Sequence, residues 1–149
     1  MTRIVAALGA LVLLLTAGCT GGRDVGRLAD DAYAAWTAWG LSSYQYTLTS
    51  SCGERALHGE FRVTVADGTV TTVEPLDETA SDTLSWVPTA GEDVPTVSEL
   101  LGRIVDAPDD VREAEFDADG FPRHVVFDPM PNAVDDEECY DVTDLQAAG

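Results

Sequence analysis

The residues with the most chemical potential are carboxylates. Asp135, Asp136 and Glu137 form one run with Glu138, and Asp117, Asp119 and Asp128 precede them. A hard cation such as Ca²⁺ takes about six to eight oxygens, and clustered carboxylates with an Asp-x-Asp-Gly turn, here Asp117-Ala118-Asp119-Gly120, suit it. Ca²⁺ is therefore the one cofactor these residues offer. The third Asp or Asn of an EF-type loop and its closing glutamate are missing, so the same residues also fit a hairpin turn followed by a solvated acidic loop.

Other chemistry has less to work with. The two histidines are His58 and His124, and no nucleophile elbow, phosphate-cradling glycine loop or zinc-ligand spacing accompanies them. With 27 acidic residues, some pair at glycosidase spacing is available anywhere, which carries no specificity. Trp86 stands in a stretch of Ser, Thr, Asp, Gly and Pro; exposed, it would make a binding anchor, and folded back it would be a lid on the core.

The three cysteines divide by position. Cys19 follows a basic start, Met1-Thr2-Arg3, an uncharged apolar run from Ile4 to Leu15, and the small residues Ala17 and Gly18. Basic, apolar, then small is the pattern of a secretory leader. Its apolar run of about twelve residues falls short of the roughly twenty that cross a bilayer as a helix. The ending Leu15-Thr16-Ala17-Gly18-Cys19 resembles the lipobox of bacterial lipoproteins, with Thr16 where leucine is usual. That resemblance implies a signal peptide over residues 1–18 and a diacylglycerol on the Cys19 thiol. Residues 19–23 would be anchor and linker, and residues 24–149 one domain at the outer face of the cell membrane. More than one acyl chain gives stable anchoring.

Composition sets further bounds. The formal net charge is −19, and loss of Arg3 with the leader makes the mature chain one unit more acidic. Nucleic acid is excluded as a partner, because phosphate contacts need a basic face. The mature length supplies one core and one domain.

The elements that would position these residues follow from periodicity. Val25, Leu28, Ala32, Trp36 and Trp39 recur at helical spacing, predicting a helix from Asp24 to Trp39 stopped by Gly40. Tyr44, Tyr46, Leu48, Ser50 and Cys52 alternate as one face of a strand. Asp67-Gly68 between alternating apolar runs marks a hairpin. From Leu76 to Pro95 no period is visible, so a long functional or mobile loop is expected. Thr96-Val97-Ser98-Glu99 reads as a capping box opening a short helix with Val97, Leu100, Leu101, Ile104 and Val105 inward. A second hairpin, Val111–Phe116 and Phe121–Phe127, and a last strand at Tyr140–Leu145 complete an α+β fold. Its two helices would pack on one face of an antiparallel sheet of five to six strands.

In this order, Trp36, Ser43-Tyr44-Gln45-Tyr46-Thr47-Leu48, Cys52, the Asp-Gly hairpin, Phe116-Asp117, Gly120-Phe121-Pro122, Asp128 and Asp135-Asp136-Glu137 resemble a family of small bacterial lipoproteins, domain-of-unknown-function family 6174. The resemblance implies the envelope address and the element order but no activity. Glu54 stands where the family often has a second cysteine, and Phe116 where Tyr is usual. With Cys19 lipidated, Cys52 and Cys139 remain in an oxidising compartment, as a bridge, as two buried thiols, or as metal or redox ligands. The missing nearby cysteine fits a partner relocated to Cys139.

The expectation is a non-catalytic interaction module that contacts the membrane through its lipid and an envelope protein through its sheet or long loop. A secreted-enzyme inhibitor or small-ligand module using the Trp86 loop is the alternative, and a Ca²⁺-dependent or carboxylate enzyme the third.

Overall fold

The computed structural model describes residues 21–54 and 57–148, so Cys19 lies outside the described residues. Helix α1 runs Gly21–Trp39. It begins earlier than periodicity predicts and takes in Gly21, Gly22 and Arg23, which composition assigns to a linker. Its buried stripe is Ala29, Ala32 and Trp36, with Val25 at the margin. Leu28 and Trp39, at 45% and 47% exposed, fall outside the stripe. Trp39 instead lies edge-on against Trp36, centroids 5.7 Å apart.

Strands β1 (Tyr44–Ser50), β2 (Gly59–Ala66) and β3 (Thr69–Pro75) form the first meander. Its tight turn places Asp67 and Gly68 at positive φ, the conformation an Asp-Gly hairpin requires. Helices α2 (Glu78–Trp86) and α3 (Val97–Asp106) follow, separated by a 3-10 segment, Pro88–Asp93. The expected structureless loop is thus mostly helical. Asp77 caps α2 by accepting from the Ala80 amide at 2.7 Å. Few apolar residues mark this helix, because it buries little beyond Ala80. The capping box of α3 forms as the sequence predicts, and Val97, Leu100, Leu101 and Ile104 are buried.

A 3-10 turn at Pro108–Asp110 leads into β4 (Val111–Phe116), β5 (Pro122–Phe127) and β6 (Glu138–Ala147). The six strands are antiparallel in the order β3-β2-β1-β6-β5-β4. The last strand therefore lies in the interior and joins two halves. Alternate residues of the strands, among them Tyr44, Leu48, Phe61, Val63, Val125, Phe127 and Val142, share one core with Trp36, Leu101 and Ile104. The architecture is α+β.

Cys52 and Cys139 are joined by a disulfide, with Cα atoms 5.3 Å apart. It links the end of β1 to the start of β6, which are neighbours in the sheet. Gly120, at φ +80°, sets the approach of α1: a Cβ there would lie 2.0 Å from the Ala32 carbonyl oxygen. The turn holding it is fixed by Asp117, whose Oδ1 accepts from the Asp119 amide at 3.0 Å and the Phe121 amide at 2.9 Å.

Candidate functional site

The acidic residues read as a Ca²⁺ site do not gather. Asp117 and Asp119 sit at the start of β5 and Asp128 just past its end, about 20 Å away at about 3.3 Å per strand residue. Asp117 caps its turn, and its Oδ2 lies 3.8 Å from Arg123; Asp128 Oδ2 lies 3.8 Å from Arg112. The 135–137 run contributes through its backbone: the Asp135 carbonyl accepts from the Glu54 amide at 2.9 Å. A Cβ on Gly53 would lie 1.9 Å from the Glu137 carbonyl oxygen. Both carboxylate oxygens of Asp136 and Oδ1 of Asp128 are buried without a hydrogen-bond partner among the described residues. Even so, no group of three or more His, Cys, Asp or Glu among the described residues is arranged to hold a metal ion. Asp117 uses its side chain in its own turn, Asp128 faces Arg112, and the 135–137 run packs through its backbone.

His124 lies on the sheet face opposite the helices, its Nδ1 2.7 Å from Asp141 Oδ1. This is the cross-strand neighbour that the β5–β6 register dictates. Its Nε2 faces Glu113 at 3.9 Å rather than a hydroxyl or thiol. The imidazole thus lies between two carboxylates, Asp141 and Glu113.

Two cavities flank the segment Val94–Thr96. The smaller, about 270 Å³, is lined by Leu57, Pro95, Glu99, Leu100, Arg103 and Tyr140, among others. Along it Arg103 donates to buried Glu138 through two bonds of 2.6 Å, and the Tyr140 hydroxyl donates to Glu138 at 2.8 Å. Bonding to Glu138 holds the Arg103 guanidinium above its ordinary pKa, against a smaller opposing effect of burial. Arg103 and Tyr140 are absent from the residues that composition singles out. A signal existed: Glu138 stands in phase with Tyr140 and Val142, and a charge on the core phase of a strand needs a partner.

The larger cavity, about 460 Å³, is a groove between β3 and the segment that follows α2. One wall is the consecutive run Gly68–Val73; the other includes Pro88, Gly91, Glu92, Val94 and Glu99. Trp86, 84% exposed, ends α2 just ahead of Pro88. Of the two sequence-based alternatives for this residue, the structure has the exposed one.

The strip between the cavities is clamped. The Tyr46 hydroxyl donates to the Pro95 carbonyl, and the Tyr44 hydroxyl accepts from the Val97 amide at 3.1 Å. Burial pushes the Tyr44 hydroxyl up to about 12, a rise that its bond with the Val97 amide offsets in part. Burial likewise raises the Tyr46 pKa, with added repulsion from Tyr44 and Glu99.

Together the fold and these cavities define a single-sheet α+β domain with one groove open at a sheet edge. The chain belongs to a family of unknown function, DUF6174, whose model matches residues 28–147 and so spans every strand. No curated protein and no solved structure matches it.

Proposed function

We propose that the protein is a lipid-anchored, extracytoplasmic, non-catalytic binding module that docks an envelope protein beside β3 and Trp86. The observation that carries the docking site is the 84% exposure of Trp86, two residues ahead of Pro88 in the wall of the edge groove. Tryptophan is enriched among interface residues of high energetic weight, and an open groove beside it supplies area. The disulfide supports an oxidising compartment. The lipobox-like Leu15–Cys19 supports the anchor, and helix α1, beginning at Gly21, would leave little chain between lipid and domain. No helix among the described residues is long and apolar enough to cross a membrane.

A photoreactive phenylalanine derivative at position 86 of the membrane-bound protein tests the docking site, with Gln146, exposed on the far strand face, as the control position. A discrete adduct from position 86 alone is expected. The same adducts from both positions, or none, would sink the reading. Intact mass with and without Cys19→Ala tests the anchor: acyl mass lost in the variant supports it, and an unlipidated native mass removes it. The Arg103 cavity favours a second reading, a small-ligand module, because it is roofed by apolar Leu57, Pro95 and Leu100 around converging polar groups.

A further inference from the structure

The geometry points to strand addition at β3: an extended, basic segment of the partner inserts into the groove and pairs with the free edge of the sheet. This rests on the binding-module reading and specifies its mode and ligand class. A cavity over one face of a strand is lined by every second residue, whereas this groove is lined by six successive positions, Gly68 to Val73. It therefore follows the backbone of β3 itself. Among the described residues no strand pairs with it on its outer side, since β3 ends the strand order.

The hydrogen-bond phase of β3 is set by the Leu76 amide, which donates to the Glu60 carbonyl at 2.8 Å. Pairs alternate along an antiparallel ladder, so with Arg62 opposite Glu74 and Val63 opposite Val73, the amide and carbonyl of Val73 turn away from β2. Pro75 occupies the next outward position, where an amide hydrogen is dispensable. The other edge, β4, is protected differently. Register breaks at both ends kink it, and Arg112, Glu113 and Glu115 place charges along it. Along β3, Thr69 to Val73 are uncharged, and the one acid, Glu74, lies 3.9 Å from Arg62.

The ligand class follows from the opposite wall and the whole charge. Glu92 and Glu99 face the groove across from β3, and the chain carries a formal charge of −19. A second copy pairing through its own β3 would bring two such chains together, which like-charge repulsion opposes. An extended segment with a basic side chain at every second position instead sets a cation toward the glutamates while its backbone pairs with Val73. The lining run of β3, Thr69 to Val73, is about 16 Å long at about 3.3 Å per residue, enough for such a strand of five residues.

The test uses the mature chain with Cys19→Ala and an end-blocked eight-residue peptide alternating Val with Lys. Binding with slowed exchange of the Val73 amide is expected. N-methylating alternate amides of the peptide, which removes its pairing donors without touching its charge, is expected to weaken binding about tenfold or more. A peptide alternating Val with Glu should bind weaker still. Gly91→Leu should block binding, since a Cβ at Gly91 meets Val73 and Leu84 at an ordinary 3.8 Å and a longer side chain enters the groove. Its melting temperature confirms that it folds. Equal affinity of the N-methylated peptide, unchanged Val73 exchange, or no binding overturns strand addition. Concentration-dependent dimers of the free protein in sedimentation, lost in Gly91→Leu, would overturn it in favour of a second copy. A position-86 adduct alongside any of these negative results leaves the binding module standing and removes only its mode.

Discussion

The guanidinium of Arg103 lies 3.8 Å from the centroid of the Phe127 ring and holds the carboxylate of Glu138 through two 2.6 Å bonds. The pair is lopsided: the arginine side chain is 41% exposed and the glutamate 2%. Stripping the cation removes two charge-assisted hydrogen bonds from a buried carboxylate. Arg103→Met is expected to destabilise the fold by about 3 kcal/mol, the low end for a buried pair because water reaches the outer side of Arg103. Urea unfolding measures this; a loss under about 1 kcal/mol would class the contact with surface pairs. Arg103→Lys should recover part of the loss, since it restores charge without the two-pronged geometry.

The Cys52–Cys139 bridge spans a sequence separation of 87. Closing a loop of that size restricts the unfolded chain by roughly 4 kcal/mol in the chain-entropy account. The double variant Cys52→Ser/Cys139→Ser should fall in stability by about that amount in non-reducing urea titrations, and the native chain should match it once reduced.

Alkaline pH should unfold the protein through its clamp tyrosines. Tyr44 is held neutral up to about 12 against an ordinary value of 10, and Tyr46 shifts the same way. A raised folded-state pKa contributes stability that is complete below the unfolded value and is lost as pH rises through the folded one. The fall should therefore begin near pH 10 and run through about 12. Tyrosinate absorbance followed together with circular dichroism should show part of the tyrosine titration appearing only as secondary structure is lost. Tyr44→Phe should make the alkaline decline shallower while costing about 1 kcal/mol at neutral pH.

Two glycines should respond oppositely to alanine. At Gly120 the new Cβ would stand 2.0 Å from the Ala32 carbonyl oxygen at a φ of +80°, so α1 must shift, and more than about 2 kcal/mol of destabilisation is expected. At Gly102, inside α3, nothing lies within 4 Å of the same atom. Gly102→Ala should stabilise by about 0.5–1 kcal/mol through helix propensity alone. Thermal melts of the two variants check both signs.

What was legible in the sequence was periodic or locally encoded. The Asp67-Gly68 turn, the Thr96–Glu99 capping box and the alternation of Tyr44, Tyr46 and Leu48 each carry their own geometry within a few residues. Helix α2 was hidden, because a helix that buries chiefly Ala80 has almost no hydrophobic stripe to read. Site residues that depend on register were hidden as well. Arg103 meets Glu138 only because the fold brings α3 to β6, and Val73 lies on an edge strand only because β3 ends the sheet order. Of the acidic residues, Asp117 shows the hairpin-turn role that its Asp-x-Asp-Gly setting suggests, while the backbone contacts of the 135–137 loop have no signature in sequence. Whether Trp86 is exposed or folded back on the core is not written in its neighbours, and the structure has it exposed.

The position of β6 between β1 and β5 carries a consequence for how the chain acquires its structure. Emerging from its N-terminus, the polypeptide completes two separate half-sheets, β1–β3 and β4–β5, before the strand that welds them exists. Until then β1 and β5 each present an open seam on the side β6 will occupy, and Cys139, the disulfide partner of Cys52, has yet to arrive. The six-stranded sheet is thus complete only once its last strand is in place, and a chain short of that strand has two seams open to mispairing.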